Sequence, residues 1–269
     1  MDLSGNTFKD IFLYGDSTDS NYWSSPYLIM PGIAMNCLFY ENTEYSTDYD
    51  FEAADSINLS NTVLSNVTCE NCANFLFFFA AKDFNFENIQ ATSVNYEGQD
   101  ATFTGENSLW GGLFGIVHVG SDTTELSFMT GTSTYSEIAH LIFNVYFLYS
   151  GAETFTYTFE DGTFTDILQV YSEGAILRIT SMATSQHLNV VMDSNTFTNL
   201  GEYSAELDYT SSIIRAHDLS SLVFSNNVIS TISFTSASSQ LFYLNLDLPS
   251  ADITATLTDN VITFTDDSQ

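Results

Sequence analysis

Residues 188–200 read Leu-Asn-Val-Val-Met-Asp-Ser-Asn-Thr-Phe-Thr-Asn-Leu. Apolar and polar residues alternate up to an Asn, and an aromatic and an aliphatic residue follow. Such alternation marks a half-buried strand, and the Asp-Ser-Asn cluster marks a bend. Variants recur along the chain at residues 4–11, 57–63, 84–89, 155–164, 222–227 and 253–262. Residues 84–89 (Phe-Asn-Phe-Glu-Asn-Ile) match 57–62 (Ile-Asn-Leu-Ser-Asn-Thr) position by position. Between these stretches lie short solid apolar runs at 75–79, 113–117, 141–143, 175–179, 212–216 and 241–244. Residues 33–39 fit neither type.

The spacing makes this a repeat. Gly162 to Asn195 is 33 residues, Asn195 to Asn227 is 32 and Asn227 to Asn260 is 33, while Asn61 to Asn88 is 27. A period in this range means stacked units, because one such unit cannot bury its apolar face alone. A propeller blade needs four strands and a period of about 40 or more; two or three short strands per period suit a parallel β-helix. The expected fold is therefore all-β: a single right-handed parallel β-helix of about eight coils, one domain over residues 1–269. Asn61, Asn88, Gly162, Asn195, Asn227 and Asn260 form one predicted column. Asn tolerates left-handed backbone at a corner, and its amide can bond to the Asn one coil away. Phe, Leu and Ile form the predicted inner columns, with Thr and Ser facing out.

The pattern of alternating apolar residues, Asn, Phe and Leu in residues 190–200 and 155–167 resembles the right-handed parallel β-helix repeats of the pectin-lyase-like superfamily. The acidic, Thr- and Asn-rich style is most similar to large surface and adhesive β-helix proteins of single-celled eukaryotes. Many members of the superfamily cleave acidic polysaccharides, so the resemblance implies a search for that chemistry. The hydrolase branch carries Asn-Thr-Asp, Asp-Asp, Gly-His-Gly and Arg-Ile-Lys segments. Here Asn42-Thr-Glu44 approximates the first, Asp266-Asp267 lies near the C-terminus, His187 lacks flanking glycines, and Arg178-Ile-Thr180 lacks the lysine. These fragments fall on unrelated coils. The lyase branch needs a basic residue to take the proton and cations to neutralise the substrate carboxylate.

Composition bounds the partners. Lys and Arg number 4 against 34 Asp and Glu, a net charge of -30, with 44% hydrophobic residues. Such a charge repels nucleic-acid phosphate and anionic lipid, and favours divalent cations or basic partners. No apolar run reaches the ~18 residues of a membrane-spanning helix; the longest covers residues 75–81. The first residues lack the basic and apolar regions of a signal peptide. Cys69 and Cys72 form a lone Cys-x-x-Cys with neither a second pair nor a nearby His to complete a zinc site. They read as buried thiols or as one disulfide involving Cys37.

Five further features are candidates for chemistry. Arg178 and Arg215 hold the same place in Ala-Ile-Leu-Arg-Ile and Ser-Ile-Ile-Arg-Ala, so they should stack on adjacent coils. The pair either grips an anionic ligand or pairs locally with Glu173 or Asp218. His217-Asp218 reads as a locally bonded turn pair. Acidic loops at Asp16 and Asp19 and at Asp48 and Asp50 are candidate calcium ligands. Asn58-Leu-Ser60 and Asn66-Val-Thr68 are candidate N-glycosylation sites. Stacked interior rings account for most of the 23 Phe and 15 Tyr.

The favoured reading is a non-catalytic structural or adhesive module, extracellular or at the cell surface, with other surface proteins or glycans as partners. The alternative is a carbohydrate-active enzyme of the same fold, and a third reading is an acid-rich protein of a salt-adapted cell. The chain enters mid-rung at Gly5-Asn6-Thr7-Phe8 and leaves after Asn260-Val-Ile262, with no amphipathic capping helix at either end. It is therefore expected to be a segment of a longer β-helix, or to stack end to end as a filament.

Overall fold

The computed structural model describes residues 2–14, 33–36, 39–40, 51–52, 54–70, 74–97, 112–120, 125–139, 141–150, 154–169, 176–180, 187–202, 212–217, 219–233, 240–245 and 254–263. Among these, strands dominate, and no helix is long and apolar enough to cross a membrane. Nearly all pairing is parallel. The exception is Phe39–Tyr40 with Phe51–Glu52, which is antiparallel.

The parallel strands fall into three stacks. The first runs from Ala54–Glu70 through Asn74–Glu97, Glu125–Gly131, Thr154–Glu160, His187–Asp193 and Leu219–Ser225 to Thr254–Thr258. The second begins at Thr7–Tyr14 and uses the later parts of Ala54–Glu70 and Asn74–Glu97. It continues through Thr134–Ala139, Thr163–Gln169, Thr196–Glu202 and Val228–Ser233 to Val261–Thr263. The third comprises Ile33–Asn36, the start of Asn74–Glu97, Gly112–Gly120, Phe143–Ser150, Leu177–Thr180, Ile214–His217 and Phe242–Asn245. The solid apolar runs form this third stack, and residues 33–36 find their place beside 76–79. The long strands Ala54–Glu70 and Asn74–Glu97 turn the corners and join the stacks into one sheet. This architecture is compatible with a β-helix-like solenoid.

Residues 57–62 pair with 84–89 in the register that the sequence match predicts, with Ile57 beside Phe84 and Leu59 beside Phe86. The alternation places Phe155, Tyr157 and Phe159 inward on one rung and Leu188, Val190 and Met192 on the next, all buried. Tyr135, Phe164 and Phe197 lie directly above one another. Their centroids are 5.1 and 5.0 Å apart, with ring planes 12° and 10° from parallel. That separation is close to the ~4.8 Å spacing of parallel strands, so backbone pairing brings like rings into face-to-face contact.

Candidate functional site

Among the described residues, left-handed bends recur at two places along the rungs, and the side chains at these bends are the polar features that repeat. The first bend column contains Gly5, Asn61, Asn88, Thr132, Asp161, Ser194, Asn226 and Asp259, all at positive φ. The second contains Asp10, Asn66, Ser93, Glu137, Asp166, Asn199 and Thr231, with φ between 52° and 59°. Asn and Asp visit this region most readily, because a short polar side chain can bond locally. Strand register aligns the members of each column one rung apart.

The single predicted Asn column is in fact two adjacent columns. Asn61 and Asn88 sit at the exposed left-handed bend, and the Asn88 Nδ2 donates to the Asn61 Oδ1 at 2.7 Å. Gly162, Asn195, Asn227 and Asn260 sit one residue later, in an inward column with Asn6, Thr62, Ile89 and Ser133. Here Asn serves for its amide; the left-handed residue is the neighbour before it, Asp161, Ser194, Asn226 or Asp259. The two columns are only one residue apart on a rung, so a landmark Asn in the sequence does not show which of them it belongs to.

The inward ladder has a fixed polarity. Asn195 Oδ1 accepts the Gly162 N–H at 2.9 Å, Asn227 Oδ1 the Asn195 N–H at 2.9 Å, and Asn260 Oδ1 the Asn227 N–H at 3.0 Å. Each Nδ2 donates to a carbonyl of the rung before: Asn195 to Phe159 O at 2.9 Å, Asn227 to Met192 O at 2.9 Å, and Asn260 to Phe224 O at 2.7 Å. Asn195 and Asn227 are 1% and 0% exposed, so each amide satisfies backbone groups that water does not reach. Ser133 performs half of this task, accepting the Ile89 N–H at 3.1 Å and donating to Gly131 O at 2.8 Å. Gly162 is glycine for space and not for φ: a Cβ there would lie 2.8 Å from both Asn195 Oδ1 and Phe164 Cε2.

The second bend column borders a surface groove of about 580 Å³. Asn66, Ser93, Glu137, Asp166 and Asn199 form one wall, and Thr68, Asn95, Ala139, Leu168 and Gly201 lie just beyond the bend. Asn66 Nδ2 donates to Asp10 Oδ1 at 2.7 Å, Ser93 Oγ to Glu137 Oε2, and Asn199 Nδ2 to Asp166 Oδ1. Glu137 and Asp166 are neighbours by register. Like charges on adjacent rungs repel, and each of these carboxylates binds a donor on its far side.

Elsewhere, Asp193 accepts Ser225 Oγ at 2.5 Å, Asn226 Nδ2 at 2.9 Å and Ser194 Oγ at 3.0 Å. These bonds, Ser225 foremost, hold its carboxyl below the usual range. Burial pushes the Tyr135 hydroxyl up to about 12, moderated by the Thr130 and Ser133 hydroxyls, and carries Tyr157 well above its ordinary value.

Arg178 and Arg215 pair across adjacent rungs, as the matched runs predict, and are 5% and 7% exposed. Their suggested partners Glu173 and Asp218 lie outside the described residues, as do Asp16, Asp19, Asp48, Asp50, Cys37 and Cys72. Cys69 lies in strand Ala54–Glu70, between Leu13 and Tyr96 in register. Among the described residues no group of three or more His, Cys, Asp or Glu could hold a metal ion. Of the two sequons, Asn66 is on the exposed bend, whereas Asn58 is half-buried in a strand beside Asn85. Comparison with protein-family models, curated proteins and solved structures found no match.

Proposed function

We propose that the chain is a non-catalytic structural or adhesive module of an extracellular or cell-surface protein. It is a single right-handed β-helix of about eight coils. Parallel crossovers are right-handed in about 98% of cases, which supports the hand. The observation that carries the functional reading is where the bend side chains direct their hydrogen bonds. Asn195, Asn227 and Asn260 bind one rung to the next, and so do Asn88 with Asn61, Asn66 with Asp10 and Asn199 with Asp166. Polar groups used this way stiffen a rod and leave its faces free to present surface to glycans or other surface proteins. The charge of -30 keeps those faces soluble and repels nucleic acid. The test is incubation with acidic polysaccharides, with binding and cleavage both followed, together with antibody labelling of intact cells of the source organism. Surface labelling and binding without new chain ends support the reading. Release of unsaturated or reducing ends overturns it.

A second reading rests on the groove. Glu137 and Asp166 place two carboxylates on adjacent rungs of an open cleft, and a pair of carboxylates is what glycoside cleavage uses. Under that reading the chain is a polysaccharide hydrolase. Glu137→Gln and Asp166→Asn would then each abolish the release of reducing ends.

A further inference from the structure

Between the two bends of a rung, two side chains face outward, and strand register lines them up into two columns. The first column reads Val63, Gln90, Thr134, Thr163, Thr196 and Val228, and the second Ser65, Thr92, Ser136, Thr165, Thr198 and Ser230. None of these twelve residues is buried, whereas the residue between each pair points into the core. The length of chain from one rung to the next varies from 27 to 44 residues. The two bends nevertheless lie five residues apart on all six rungs, from Asn61 and Asn66 to Asn226 and Thr231. The width of this face is therefore constant, and the variation in length falls elsewhere on the rung.

Every position of the second column is a hydroxyl residue. Strand preference accounts for the Thr and Val of the first column, because branched side chains suit the pleat. It does not account for Ser65, Ser136 and Ser230, so the second column keeps the hydroxyl and not the branch. Contacts along the column fix the hydroxyls in place: Thr92 Oγ1 lies 3.1 Å from Ser136 Oγ, and Thr198 Oγ1 lies 3.2 Å from Ser230 Oγ. A hydroxyl offers one donor and two acceptor sites, so each keeps capacity for water on its open side. The face is also uncharged. The chain has 34 Asp and Glu, yet the twelve positions hold none of them, and no Lys or Arg. Carboxylates stand on its borders instead, Asp161 at one bend and Glu137 and Asp166 at the other.

We propose that this face binds ice. A face of constant width, with repeated hydroxyls and no charge, fits a partner that is itself a neutral lattice. The array repeats about every 4.8 Å from rung to rung and about 6.6 Å between the two columns. Hydrogen bonds of about 2.75 Å in a tetrahedral water network put like oxygens about 4.5 Å apart in one direction and about 7.4 Å apart at right angles to it. Both repeats agree to about a tenth. Thr134 with Ser136, Thr163 with Thr165 and Thr196 with Thr198 carry hydroxyls in both columns. Over these rungs the misfit along the rod stays under about 1 Å. The methyl groups of Thr and Val give ordered water an apolar surface to cage, and the hydroxyls tie that cage to the protein. A carboxylate would hold its own hydration shell and break the lattice. The inference goes beyond the structural-module reading and does not rest on it.

The test is slow freezing of the 269-residue chain around a cold probe, with protein measured separately in the ice and in the liquid. Wild type is expected to concentrate in the ice and to hold a seeded crystal from growing just below its melting point. Thr165→Tyr and, separately, Thr196→Tyr each set a ring in the middle of the array. Tyr suits an outward strand position, so the fold is kept. Each variant should lose at least about tenfold in its ice-to-liquid ratio. Thr156→Tyr makes the same change at a half-buried position on the neighbouring face and should behave as wild type. Melting followed by circular dichroism establishes which variants are folded, and two target rungs keep the test decisive if one variant is not. A wild-type chain left in the liquid overturns the inference. So does a folded Thr165→Tyr or Thr196→Tyr chain that still enters the ice, or a folded Thr156→Tyr chain that does not. Exclusion from ice leaves the structural-module reading standing, since that reading fails on polysaccharide cleavage instead.

Discussion

Replacing Asn195 with alanine should expose what the inward ladder contributes. The substitution removes the acceptor of the Gly162 N–H and the donor to the Phe159 carbonyl, both in the interior. It also removes one of the two donors to Asn227 Oδ1, which keeps the Asn195 N–H. A buried group left without a partner costs about 1–3 kcal/mol, so two of them predict a loss of about 2–6 kcal/mol. Urea unfolding should show a lower midpoint at unchanged slope. Stacked rungs can open in parts, so amide exchange gives the local readout: Gly162 should exchange at least about tenfold faster. Asn195→Asp adds a pH signature. At neutral pH its carboxylate would face the Phe159 carbonyl and Asn227 Oδ1, which favours the protonated form and raises its pKa in the folded state above the unfolded value of ~3.9. A raised pKa gives stability that is complete below the unfolded value and lost as pH rises through the folded one, so this variant should recover on acidification. Asn260→Ala is the control. Asn260 makes the same bonds on a less buried rung, where water can replace them, and should cost about 0.5–1.5 kcal/mol. An Asn195→Ala chain within about 1 kcal/mol of wild type, with unchanged Gly162 exchange, would refute the ladder's role.

Two further predictions follow from the same interior. Gly162→Ala places a methyl 2.8 Å from both Asn195 Oδ1 and Phe164 Cε2; it should cost about 1–3 kcal/mol in urea unfolding, whereas alanine at Gly131, with no neighbour within 4 Å, should be nearly neutral. Tyr135, raised by burial to about 12, contributes stability that is intact below the unfolded value of ~10 and declines as pH rises through about 12. Phenolate absorbance should therefore show Tyr135 ionising late and together with loss of ellipticity, and Tyr135→Phe should weaken that alkaline dependence.

Much of the fold was legible because a stacked rung repeats its own pattern. The match of residues 84–89 to 57–62 became a strand pairing in the same register, and the matched arginine runs became Arg178 beside Arg215. The rung at Glu125–Ala139 was harder to find. Its bend residues are Thr132 and Ser133, so the Asn landmark is absent even though Ser133 supplies part of an Asn's hydrogen bonding. Residues 33–36 had no readable partner, because a strand of four residues carries too little pattern to declare a register. The groove bordered by Glu137 and Asp166 was not anticipated. Its signal was present as a polar residue at the second bend of each rung, but those residues differ in type from rung to rung, and only the shared positive φ identifies them as a column.

The sequence by itself determined the class of architecture. Alternation sets which side chains turn inward, and a period near 33 residues means that each rung can bury its apolar face only against the next. Tertiary structure alone decided which of two neighbouring residues does which task at a bend. Asn61 and Asn195 occupy columns one residue apart, yet Asn61 takes the left-handed backbone in solvent while Asn195 turns its amide inward to serve two rungs. One residue separates the two columns, and a shift of one residue along a bend moves a side chain from water to the core. Local sequence resembles itself at both positions; the burial that distinguishes them exists only once the rungs are stacked.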